Sequence, residues 1–266
     1  MDIATLLDGI RAGDQHQGGI RCLRLFRLDR DYFSALRDQV VRLCDREHPS
    51  DVSRPEHITN WTRPVGQVQQ FSLLAGSGRY DDFSSDHDQS CLGKRFHGAA
   101  EYPLLGAFVA AFPHAINVRI NLLGPGAGLS PHEEHALFRT RAGTIGARVR
   151  LHLPVVTTPA AELVLDGEVH HLDAGTIYYI NHGCVHAAFN RGDSARIHLV
   201  WDLLLTHDVY RGVFAPTARL DLPLVRVDES ERVPAPARVE RMGAHRRLPS
   251  SLSGEHIDEL GLCPIQ

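Results

Sequence analysis

His132, Glu133 and Glu134 form a tight run, with His186 and Arg196 far downstream. The set reads as His-x-Glu, a distal His, and an Arg ten positions further on (196 − 186 = 10). Two imidazoles and one carboxylate on one face of an octahedron suit a non-haem Fe(II) ion and leave three positions open. One bidentate 2-oxoacid and one O2 would fill them. A buried Arg would meet the far carboxylate of 2-oxoglutarate. Each element is weak alone, and the combination carries the weight.

The surrounding pattern must put these side chains on one surface. Successive side chains of a strand point to opposite faces. His132 and Glu134 therefore point the same way on extended chain, and Glu133 points away. Pro131 and the Gly124-Pro125-Gly126-Ala127-Gly128 turn before it favour a strand entry. Val118, Ile120 and Leu122 alternate with Arg119 and Asn121. Val149, Leu151 and Leu153 alternate with Arg148, Arg150 and His152, and Ile197, Leu199 and Trp201 alternate with Arg196, His198 and Val200. Leu163-Val164-Leu165 runs into Asp166-Gly167, a hairpin signal. Several short strands separated by turns predict a mainly β fold, a jelly roll or cupin-like barrel rather than a βαβ sheet. Apolar parity should pack outward under helices. Arg196, Arg150 and His152 should face the interior, which is costly unless anions meet them. Arg rather than Lys suits a carboxylate, because its fork binds bidentately.

Bland alternatives stand beside this reading. A chain with 17 His contains chance His-x-Glu pairs. Glu133 and His135 are off-register alternatives to the ligands, and His182 is an alternative to His186. His170-His171 precedes the Asp173-Ala174-Gly175 turn and reads as a surface hairpin.

Flanking the strands, Tyr32, Leu36, Val40 and Leu43 recur at helical spacing, with Asp29 or Asp31 as cap. A second helix is predicted near Tyr102–Phe112. Residues 51–100 read as loops with short strands. The divisions expected are 1–114 as an N-terminal helical and loop region, 115–205 as the catalytic barrel, and 206–266 as a C-terminal extension, with a short helix near Ser253. The chain has 266 residues, 43% hydrophobic and 23% charged, which is ordinary globular composition. A formal charge of −4 gives no electrostatic reason to expect nucleic acid. Five dispersed cysteines without Cys-x-x-Cys, no signal-peptide pattern and no long apolar run predict reduced thiols, no membrane span and a cytoplasmic protein.

The ordered motifs resemble the aspartyl/asparaginyl β-hydroxylase family, nearest to the small bacterial branch that includes L-proline cis-hydroxylases. They are Gly124-Pro125-Gly126, Pro131-His132-x-Glu134, Arg150-Leu151-His152-Leu153-Pro154, Gly175, His186-x-x-x-Asn190-Arg191-Gly192-Asp193 and Arg196-Ile197-His198-Leu199-Val200-Trp201-Asp202. The resemblance implies a double-stranded β-helix that uses Fe(II), 2-oxoglutarate and O2. His132, Glu134 and His186 match the metal ligands. Arg196 matches the Arg that binds the distal carboxylate of 2-oxoglutarate, and Arg150 and His152 match the pair near its other end. Asn121 and His198 join them as co-substrate candidates. Where that family has a carboxylate ligand it is usually Asp, and here it is Glu134. The implied activity is hydroxylation of an unactivated C–H in an amino acid, free or within a peptide or carrier-bound intermediate. Candidate substrate contacts are Arg119, Arg139 and Arg141 for a carboxylate and Trp61 or Tyr178 for packing. A cupin-type isomerase or small-molecule binding protein, with metal but without 2-oxoglutarate turnover, is the competing expectation.

Overall fold

A computed structural model describes residues 2–14, 16–51, 64–82, 94–134, 136–139, 145–227, 238–239 and 247–248. The helices are α1 (Asp2–Arg11), α2 (Arg30–Arg46) and α3 (Pro103–Ala110). The strands before the barrel are β1 (Cys22–Leu28), β2 (Ser50–Asp51), β3 (Pro64–Val65) and β4 (Val68–Ser72). The next group is β5 (Ala115–Leu123), β6 (Gly128–Glu134), β7 (Leu137–Arg139), β8 (Ile145–Val156), β9 (Ala161–Leu165) and β10 (Glu168–His170). It continues with β11 (Thr176–Ile180), β12 (His186–Asn190) and β13 (Arg196–Leu204), then β14 (Leu224–Arg226), β15 (Arg238–Val239) and β16 (Arg247–Leu248).

Two sheets result. The larger runs β14-β1-β11-β8-β13-β5-β4-β2, with β7 added on β8. The smaller runs β15-β10-β9-β12-β6-β16, with β3 added on β6. Almost every pairing is antiparallel, as expected of a jelly roll; β16 joins β6 in parallel. The fold is the jelly-roll barrel that the alternation predicts, the double-stranded β-helix that the resemblance implies.

Side-chain parity sorts the molecule into two cores. Val149, Leu151, Leu153, Leu199, Trp201 and Leu203 leave the outer face of the larger sheet and meet Leu36, Val40 and Leu43 of α2 and Phe108 of α3. Trp201 is fully buried, with Phe108 set edge-on at 5.3 Å and Phe112 at 4.8 Å. The inner faces hold a smaller apolar set, including Leu163, Leu165, Tyr178, Ile180 and Ala188. The polar parity of β8 and β13 faces this interior.

Local signals position the frame. Asp29 caps α2, its Oδ1 accepting from the backbone N–H of Asp31 and Tyr32 at 3.0 Å each. Asp29→Ala should lower unfolding free energy by about 1 kcal/mol in urea titration, the usual worth of such a cap. Asp166 and Gly167 both take positive φ, 49° and 86°, closing the β9–β10 hairpin in the turn that Asp-Gly favours.

Several expectations shift. β1 did not stand out in sequence, because a register break between Arg24 and Phe26 disturbs its alternation. His170 is buried rather than on a surface hairpin, and it pairs with Leu163 of β9. The helix expected near Ser253 lies outside the described residues. Cys22, Cys44 and Cys184 are free thiols. Among the described residues no helix is long and apolar enough to cross a membrane.

Candidate metal centre and anion site

His132 and Glu134 leave β6 on the interior face of the smaller sheet. His186 opens β12 as the direct antiparallel partner of His132. That pairing brings the two imidazole centroids to 4.2 Å. Potential donor atoms of His132, Glu134 and His186 all lie within 4.8 Å of one another, and all three residues are buried.

Backbone carbonyls orient both imidazoles. His132 Nδ1 is 2.8 Å from the Ser130 oxygen, and His186 Nδ1 is 2.9 Å from the Cys184 oxygen. A carbonyl only accepts, so each Nδ1 carries the proton and each Nε2 presents a lone pair. His186 Nε2 is buried without a hydrogen-bond partner. Burial, with a smaller contribution from His132, pushes His186 down to about 3, so it is neutral at physiological pH. Neutral imidazoles with Nδ1–H tied to carbonyls fit a divalent cation. His182 takes no part in the cluster; its Nε2 is 3.2 Å from Arg148 Nε.

The larger sheet faces this cluster with a cationic row. Arg150 donates from Nη1 to Glu134 Oε1 at 2.6 Å and from Nη2 to Oε2 at 3.0 Å. Its other edge meets Asp202, Nε to Oδ1 at 2.7 Å and Nη2 to Oδ2 at 2.9 Å. Arg148 Nη2 donates to Glu134 Oε2 at 2.6 Å. Burial raises the Glu134 carboxyl, but Arg150 and Arg148 together outweigh it and hold the group well below the usual range. Asp202 behaves likewise, and also accepts from Asn117 Nδ2 at 3.0 Å.

The expectation that interior arginines need an outside anion therefore divides. Arg150 is already paired by two carboxylates of the protein. Arg196 is not. It is 4% exposed, and no carboxylate pairs with it among the described residues. Its Nη2 donates to His198 Nδ1 at 2.8 Å, while its Nε is buried without a partner. Burial alone pushes the guanidinium down to about 9. Since Arg keeps its charge in proteins, that shift marks the cost of burying the cation. Accepting at Nδ1 leaves His198 its proton on Nε2, which is also buried without a partner. His152 stands beside them, its ring 6.2 Å from that of His198. Burial first, then Arg196, keeps both neutral.

The remaining candidates scatter. Asn121 is the cross-strand neighbour of His198, and its Oδ1 is buried without a partner. Arg119 is the neighbour of Val200, with Nη2 3.7 Å from Asp202 Oδ2. Tyr178 lies beside His152, but its hydroxyl is engaged by Asp173. Arg139 sits on β7, its side chain outside the described set. Trp61, Arg141 and His135 lie outside the described residues. Sequence reasoning gave no role to Arg148 or Asp202, although both share the parity of the residues it chose.

Residues 98–205 match the family model Aspartyl/Asparaginyl beta-hydroxylase. No curated protein matches the chain. Among solved structures, the chain is similar to the non-heme alpha ketoglutarate dependent epimerase SnoN from nogalamycin biosynthesis, at 15% identity over 74% of this chain and 81% of that one, TM-score 0.44. It is similar to a Pseudomonas putida prolyl-4-hydroxylase at 17% identity over 77% and 99%, TM-score 0.40. It is also similar to a salicylate 1,2-dioxygenase from Pseudaminobacter salicylatoxidans at 16% identity over 32% of this chain, TM-score 0.25, and spans 21% of that protein's length.

Proposed function

We propose that this chain, whose residues 98–205 match the aspartyl/asparaginyl β-hydroxylase family model, is an Fe(II)- and 2-oxoglutarate-dependent oxygenase that hydroxylates a C–H bond of an amino acid or an amino-acid unit. The observation that carries the reading is Arg196, a buried guanidinium without a carboxylate partner among the described residues, in a barrel that also holds the His132, Glu134 and His186 cluster. A metal-only cupin has no use for that cation, whereas a dicarboxylate co-substrate neutralises it.

In this reading His132, Glu134 and His186 hold the iron. The iron, with 2-oxoglutarate and O2, supplies the oxidising chemistry, and the protein supplies position and a dry site. Arg196 binds the distal carboxylate of 2-oxoglutarate. His198 fixes one Nη2 of Arg196 and adds its own Nε2–H as a second donor. His152 stays neutral and adds no charge beside that anion. Arg119 has a buried Nε without a partner, and its contact with Asp202 is long. It is suited to a carboxylate of the substrate. Val200 and Ile180 line the interior with apolar surface.

The test is succinate release from 2-oxoglutarate by the Fe(II)-loaded protein across a panel of amino acids. One substrate should raise succinate above the uncoupled background. His186→Ala should bring turnover down by at least about 10³-fold and lose metal by elemental analysis. Failure of 2-oxoglutarate to perturb the absorption of the anaerobic Fe(II) protein, together with no succinate, would return the site to the cupin reading.

A further inference from the structure

We propose that Arg119 sets the substrate class, and that it selects for a free carboxylate: a small acid on its own, not an acyl unit held as a carrier thioester or as an internal peptide amide. This deepens the oxygenase reading above and rests on it.

Arg119, Arg148, Arg150 and Arg196 share the interior face of β5, β8 and β13. Glu134 and Asp202 are the carboxylates that meet this group among the described residues, which leaves two guanidinium groups over (4 − 2 = 2). Arg148 and Arg150 hold both carboxylates at 2.6–2.7 Å. Arg196 and Arg119 remain. Asp202 does not serve Arg119. Its Oδ2 accepts from Arg150 Nη2 at 2.9 Å and from Asn117 Nδ2 at 3.0 Å, whereas Arg119 Nη2 stands off at 3.7 Å, beyond a hydrogen bond. The Arg119 side chain is 17% exposed, and its Nε is buried without a partner.

One dicarboxylate cannot serve both remaining cations. Arg119 is the cross-strand neighbour of Val200, and Arg196 lies four residues before Val200 on β13. At about 3.3 Å per residue the two rows stand ~13 Å apart, more than 2-oxoglutarate spans. The two heads do not converge, since Arg119 turns towards Asp202 and Arg196 towards His198. With its distal end on Arg196, 2-oxoglutarate therefore leaves Arg119 to a second anion. That anion lies close to the ligand cluster. Asp202 Oδ2 links Arg119 to Arg150, and Arg150 Nη2 holds Glu134 Oε2 at 3.0 Å. Charge then fixes the ligand chemistry. A carboxylate gives a guanidinium two acceptor oxygens and a full negative charge. A thioester or amide carbonyl gives one neutral oxygen and leaves the cation uncompensated. An Arg119 that merely braced Asp202 would show no preference between an acid and its ester.

The test compares acids with their own esters. Succinate release by the full chain, loaded with Fe(II) and 2-oxoglutarate, is measured with the common L-amino acids and with the methyl ester and the C-terminal amide of each. At least one free acid is expected to raise succinate, with kcat/KM about 30-fold or more above that of its ester, the scale of losing charge-assisted hydrogen bonds. Arg119→Met should collapse that ratio to within about threefold by lowering the acid and not the ester, because an uncharged side chain no longer separates the two. Arg119→Lys, which keeps the charge but not the fork, should recover part of it. An ester or amide as good as its acid, or full discrimination in a folded Arg119→Met protein, would overturn the proposal. Should that variant not fold, the wild-type ratio of acid to ester decides alone. A response to no free acid overturns the proposal as well. In that case a 2-oxoglutarate-induced absorption change in the anaerobic Fe(II) protein shows that the oxygenase reading survives, and its absence shows that both fall.

Discussion

Arg196→Met is expected to make the ligand-free protein more stable while abolishing its response to 2-oxoglutarate. Arg196 holds its charge in a setting where burial pushes the guanidinium down to about 9 and its one hydrogen bond among the described residues goes to a neutral imidazole. Replacing a poorly compensated buried ion with an apolar side chain of similar volume commonly stabilises by about 1–4 kcal/mol. Met fills the space, and His198 loses only a donor at Nδ1. The free protein should therefore melt several degrees higher. The holo response goes the other way. Wild-type protein should gain stability with 2-oxoglutarate by mass action, about 2.7 kcal/mol at a hundredfold excess over Kd, and the variant should gain none. Metal affinity should not change, because Arg196 belongs to the sheet opposite His132 and His186. Melting curves of both proteins with and without 2-oxoglutarate decide it. A lower melting temperature in the free variant would mean that the interior already balances this charge. A surviving 2-oxoglutarate shift would move the co-substrate elsewhere.

The same side chain marks where sequence reasoning succeeds and where it stops. Alternation along β8 and β13 separates Leu151, Leu199 and Trp201 from Arg150, Arg196 and His198, because a strand has only two faces and one is apolar. Parity also puts His132 and Glu134 together. Register is different. His186 faces His132 directly only because β12 and β6 pair with a particular offset, and nothing within either segment fixes that offset. Charge partners are hidden for the same reason. Arg150 and Arg196 look alike in sequence, yet one meets Glu134 and Asp202 while the other meets no carboxylate among the described residues. The partners of Arg150 lie 16 and 52 positions away. Asp202 and Arg148 had the right parity, and a count of interior charges could have raised them as candidates. β1 escaped because its register break hides a strand that alternation would otherwise announce. Trp61 and Arg141 carry expectations that fall outside the described residues.

Asp202 should be the costliest carboxylate in the molecule to remove. It is fully buried, accepts two bonds from Arg150 and one from Asn117, and lies 3.7 Å from Arg119 and 3.9 Å from Arg148. Asp202→Ala leaves Arg150 with Glu134 as its one carboxylate partner among the described residues. Breaking one side of a buried pair costs about 3–5 kcal/mol, a large share of the roughly 5–15 kcal/mol that keeps a domain folded. Urea titration should therefore show a markedly earlier midpoint. The pH dependence has a definite sign. Burial opposes ionisation of Asp202, but the neighbouring arginines, Arg150 foremost, hold its carboxyl far below the usual range, and Glu134 is lowered in the same way. The unfolded chain titrates these groups near pH 4. The folded state then binds fewer protons than the unfolded one, so their contribution is whole above about pH 5 and falls steadily as the solution is acidified. Asp202→Asn, which keeps the shape and part of the hydrogen bonding, removes one of the two titrating groups. Its stability should be lower than wild type at pH 7 and fall less steeply between about pH 5 and pH 2. Parallel acid limbs in the two proteins would mean that Asp202 is not ionised against Arg150, and the charge network linking the two sheets would have to be redrawn around Glu134 alone.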